Sequence, residues 1–74
     1  MLVHITLNLN EAEVDAQADS VLEELHRAGV REVDTRYLKS YSLVSGHVDQ
    51  AHVGSVEALP VVMAVEPIST VNAI

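Results

Sequence analysis

Four histidines and a set of carboxylates are the residues with chemistry to offer in this 74-residue chain. His47 and His52 lie close together, with His4 and His26 further off. Their spacing matches no standard zinc site, and the close pair straddles a strand–helix junction, so no metal is expected. Cysteine is absent, which removes a thiol nucleophile and a disulfide framework together. No serine stands in a convincing constellation with a histidine and an acid, and no glycine-rich loop is present to cradle phosphate. A chain this short also has little volume for a water-free pocket. These residues point to a binding protein that does no catalysis and needs no cofactor. Glu11, Glu13 and Asp15 read as the acidic first turn of a helix and a solvated face.

Charge narrows the partners. Eleven acids against four bases give a formal charge of −7, which repels nucleic acid and anionic membrane and leaves a neutral or basic protein partner open. The N-terminus lacks the basic region and apolar run of a signal peptide, and nowhere do about 18 apolar residues follow one another, so a cytoplasmic location is expected. One domain of this size buries only about 60% of the surface its unfolded chain exposes. With no Trp or Phe and only two Tyr, the core must be aliphatic, and its net stability is expected to be no more than about 3–5 kcal/mol.

Residues 2–9 alternate, with Val3, Ile5, Leu7 and Leu9 on one side and His4, Thr6 and Asn8 on the other, which predicts a half-buried strand. Asn10 with Glu13 three places on predicts a capped helix start. Val14, Ala18, Val21, Leu22, Leu25 and Ala28 then form one apolar stripe, and Gly29 closes the helix. Residues 30–39 suit an exposed or edge strand, with Val33, Thr35 and Tyr37 on one side and Asp34, Arg36 and Leu38 on the other. Lys39-Ser40-Tyr41 is expected to turn it back into residues 42–48, where Val44, Gly46 and Val48 share a face. Asp49 is expected to cap a second helix over 50–59, weakened by Gly54 and ended by Pro60. A fully apolar run, 61–65, predicts a last strand that needs cover on both faces and ends at Glu66-Pro67.

Strand, helix, strand, strand, helix, strand is satisfied without crossing connections by an α+β, ferredoxin-like βαββαβ plait. Its four-stranded antiparallel sheet carries two helices on one face and leaves the other face open. Residues 1–68 would form this domain and 69–74 an extended tail. The plait serves many functions and names none by itself.

The C-terminal half is more specific. Val44-Ser45-Gly46-His47-Val48-Asp49, a helix carrying Val53, then Pro60-x-Val62-x-x-Val65-Glu66 and a short end resemble the propeptides of subtilisin-like serine proteases and their free-standing inhibitor relatives. The topology as a whole is compatible with that family, while the motif-level likeness covers about the last thirty residues. The resemblance implies a monomer that inhibits a subtilisin-like serine protease and assists its folding. It also implies that Val71, Asn72, Ala73 and Ile74 lie in the protease's substrate cleft as an added strand ending at the scissile position. Glu66 matches the first of the family's acids that cap helix N-termini on the protease surface. The chain departs from the pattern twice. Ile68 stands where the family often has a further acid, so one cap is missing or replaced by an apolar contact. Ile74 is β-branched where most such enzymes take a long unbranched or aromatic side chain, which is compatible with slow cleavage.

Two other readings stay open on these residues. The chain fits a ferredoxin-like regulatory or assembly module that dimerises through its open sheet face or binds a small metabolite at a helix–strand loop. It also fits a propeptide taken from a longer precursor, in which the same residues would act in cis.

Overall fold

The alternation of the first strand, β1 (Leu2–Leu7), sets the sides of the whole molecule: Val3, Ile5 and Leu7 are buried, while Leu2, His4 and Thr6 between them are half-buried. The computed structural model describes residues 1–68. Three further strands, β2 (Arg31–Asp34), β3 (Leu43–His47) and β4 (Val62–Pro67), join β1 in one antiparallel sheet of order β2-β3-β1-β4. β1 is therefore central, paired with β3 on one side (Ile5 opposite Val44) and with β4 on the other (Ile5 opposite Val65). This is the expected ferredoxin-like plait.

Helix α1 (Glu11–Arg27) begins where its sequence says it should. The Asn10 side chain accepts the Glu13 backbone N–H at 2.9 Å, and the Glu13 carboxylate accepts the Asn10 N–H at 2.9 Å, so two otherwise unpaired donors satisfy each other's segments. It ends at Gly29, whose φ of 106° lets the Gly29 N–H reach the His26 carbonyl and the Val30 N–H reach the Leu25 carbonyl. Val14, Val21 and Leu25 from this helix are buried with Val3, Ile5, Leu7, Val30, Leu38, Val44, Val48 and Val56 in one cluster. Each such side chain is worth roughly 1.5–3 kcal/mol of gross burial. Val56 belongs to α3 (Val53–Glu57), so both main helices cover the same sheet face.

The connection from β2 to β3 differs from the expected long hairpin. β2 stops at Asp34, its register against β3 slips between Arg31 and Asp34, and Glu32 takes a left-handed φ of 52° inside it. A single helical turn, α2 (Leu38–Tyr41), then fills the space expected for strand and turn, and Leu38 enters the core. Ser42, left-handed at φ 52°, closes that turn, and its hydroxyl donates to the Leu9 carbonyl at 2.6 Å. This bond holds Leu9 against the core although β1 has ended at Leu7.

The second helix is also shorter than expected. A 3-10 turn (Gln50–His52) precedes α3, and the Asp49 side chain caps nothing: it accepts from Arg31 at 3.2 Å. Propensity explains the break, since Gly54 sits in the first turn of α3 and no side-chain cap supports either segment.

The largest correction concerns β4. It is an edge strand, not one covered on both faces, and none of its residues is fully buried. Val62 and Val65 pack against the core, but a register slip beside Thr6/Leu7 throws out Met63, which is 64% exposed. Among the described residues no helix is long and apolar enough to cross a membrane.

Candidate functional site

With both helices on one side, the other face of the sheet carries the alternate residues of each strand. Strand pairing sets them in rows. Thr6 lies between Leu43 and Ala64, His4 lies between Ser45 and Glu66, and Leu2 lies opposite His47. Asp34 of β2 pairs with Ser45, so the middle row runs Glu66, His4, Ser45, Asp34 across all four strands. Among the described residues, no element packs onto this face.

Within that row His4 Nδ1 and Ser45 Oγ are hydrogen-bonded at 3.0 Å, the only side-chain bond between strands of the sheet among the described residues. At its β2 end the Asp34 carboxylate accepts the Arg36 backbone N–H at 3.0 Å and the guanidinium Nη2 at 2.8 Å. Side-chain hydrogen bonding to Arg36, with the backbone bond behind it, holds the Asp34 carboxyl below its ordinary range, and the same pairing pushes the Arg36 guanidinium up. At the β4 end Glu66 is exposed and forms no ion pair among the described residues.

An imidazole bonded to a serine hydroxyl pairs a base with a nucleophile. The third member of a triad, an acid hydrogen-bonded to the same imidazole, is not formed: Glu66 is opposite His4 in register without a hydrogen bond to it among the described residues. What the arrangement offers is a bare surface whose polar central row is flanked by mixed rows, Leu2 with His47 on one side and Leu43, Thr6 and Ala64 on the other.

Of the residues singled out from sequence, Glu66 stands on this face and Ile68 continues its edge, its N–H donating to the Leu2 carbonyl at 2.9 Å. Val71, Asn72, Ala73 and Ile74 lie outside the described residues. The histidines separate: His4 and His47 are on the open face, His26 is in the last turn of α1, and His52 lies beside Gly29 and 3.8 Å from Asp49. Among the described residues no group of three or more histidines and carboxylates is placed to hold a metal ion. Glu13 serves the cap of α1, and Asp15 pairs with Lys39 at 3.3 Å.

Sequence reasoning missed the Glu66–His4–Ser45 row. Alternation put His4 opposite the core face of its strand, and Val44 and Gly46 implied the same for Ser45. Only the pairing register brings the three side by side.

On the helical side a shallow groove of about 390 Å³ is lined by Glu24, Arg27, Ala28, Ser55 and Leu59. Comparison with family models, with curated proteins and with solved structures found no match.

Proposed function

We propose that the chain is a propeptide-like inhibitor, and folding assistant, of a subtilisin-like serine protease, and that it is a binder and not a catalyst. The bare sheet face docks on the protease's surface helices, Glu66 pairs with N–H donors at a helix start, and Val71, Asn72, Ala73 and Ile74 enter the substrate cleft as a product-like strand. The observation that supports this reading is the uncovered face itself. Among the described residues one side of the four-stranded sheet is left without cover, and the acid at its β4 edge has no cation of its own.

Removal of residues 71–74 tests the mechanism. The shortened chain should lose inhibition of the proteases that the full chain inhibits, while its thermal unfolding stays unchanged; retained inhibition would refute the cleft-binding role.

The same bare face supports a second reading, a regulatory or assembly module that pairs through it with another copy, and the groove beside Glu24 and Arg27 gives that reading a place for a small ligand. Sedimentation separates the two. Pairing through the face gives a concentration-dependent dimer indifferent to loss of the tail, whereas the inhibitor stays a monomer until a protease is added.

A further inference from the structure

Of the large apolar side chains exposed among the described residues, Met1, Tyr37, Tyr41 and Met63, Met63 alone lies on a strand of the sheet. Strand pairing explains its exposure. Thr6 stands opposite Ala64 and Leu7 opposite Val62, so Met63 is the extra residue of the bulge and has no partner on β1. Val62 and Val65 on the same strand pack against the core, and Met63 stays in solvent, 64% exposed. It adjoins Ala64 of the bare face, three residues before Glu66, at the margin where the partner proposed above would arrive. Resting on that docking role, we infer that the Met63 thioether is an oxidation site that controls it: the intact side chain is covered by the partner, and its sulfoxide weakens the complex.

A thioether reacts with a hydroperoxide without a neighbouring base, so access to solvent is the main requirement, and Met63 meets it. A sulfur lone pair forms a bond to one peroxide oxygen as the O–O bond breaks. The proton on the transferred oxygen passes to the departing one, so sulfur is oxidised by two electrons and the peroxide is reduced to an alcohol or water. A flexible apolar side chain has then become a polar one. Covering the sulfoxide strips a strong acceptor of its water, whereas covering the thioether removes apolar surface from water. The free chain is indifferent to the change, because the side chain stands in solvent in both states.

The chain's other oxidisable groups lie elsewhere. Cysteine is absent. Met1, the second methionine, is 49% exposed, and its carbonyl accepts the Val48 N–H at 2.9 Å on the flank of β1 away from β4. Its sulfoxide would form alongside that of Met63 and is separated from it by substitution.

The full chain is treated with hydrogen peroxide, the peroxide is removed, and mass spectrometry reports the sulfoxide at each methionine. Affinity is then measured for an untreated subtilisin-like protease whose catalytic serine has been replaced, so that cleavage does not intrude. Oxidised wild-type chain should bind about tenfold more weakly, the order expected when one covered apolar side chain turns polar, with its thermal unfolding unchanged. Methionine sulfoxide reductases should restore the affinity. Met63→Leu, whose fold is checked by circular dichroism, keeps an apolar side chain of similar size that peroxide cannot oxidise; it should bind as untreated wild type does and lose less than about twofold on treatment. Met63→Gln should match the oxidised wild type without treatment. Equal losses in wild type and Met63→Leu, an oxidised Met63 with affinity intact, or a Met63 that resists peroxide overturns the inference and leaves the docking role standing. Absence of a complex with the untreated wild-type chain overturns the docking role and the oxidation control with it.

Discussion

Gly46 shows how closely one atom is specified. A Cβ placed there would lie 2.6 Å from Val30 Cγ1 and 3.2 Å from the Arg31 carbonyl, so the β3 backbone must come up bare against the residue that leads into β2. Gly46→Ala should lower stability by about 1–3 kcal/mol in urea unfolding, the usual range for overpacking a tight site. The double variant with Val30→Ala should lose less than the sum of the two single losses, because the closest clash is with a side-chain methyl. The sequence placed Gly46 on the buried face with Val44 and Val48, correctly, but gave no sign that Val30 was the neighbour that required it.

Among the elements, those with local signals were legible and those governed by long-range fit were not. Asn10, Glu13 and Gly29 mark the ends of α1 because capping chemistry is written within a few residues. The β2–β3 connection is different. Glu32 and Ser42 adopt left-handed conformations that no glycine announces, and Leu38, grouped by alternation with Asp34 and Arg36, turns inward on a single helical turn. The covered face of the sheet was readable from β1. The edge position of β4 was not, because an apolar run reads the same whether it lies in the middle of a sheet or at its margin. α3 spans only five residues, and Gly54 is a reason that can be tested: a methyl there would meet nothing within 4 Å. Gly54→Ala should therefore raise stability by about 0.5–1 kcal/mol, seen as a higher urea midpoint with an unchanged slope.

For the whole molecule, charge sets the terms of encounter. Each of the four bases is already engaged, Arg27 with Glu23, Arg31 with Asp49, Arg36 with Asp34 and Lys39 with Asp15. Among the described residues, eleven acids less these four partners leave seven side-chain carboxylates without an ion pair to Lys or Arg. These exposed pairs add little to stability. The surface still carries a net excess of negative charge. Association with a protease bearing a positive rim should slow several-fold as salt rises from about 0.05 to about 0.5 M, with dissociation much less affected, as stopped-flow measurement would register.

The sheet also dictates an order of events during synthesis. Its central strand comes from the first residues of the chain, yet one of the two flanks of that strand comes from Val62–Pro67, some sixty positions downstream. A ribosome must deliver nearly all of this sequence before β1 has both neighbours, so the nascent chain waits with a hydrophobic strand half paired. Such an interval leaves the chain exposed to sticking or to capture by a chaperone, and variants that slow the joining of β4 should show their defect first as lost yield from the cell.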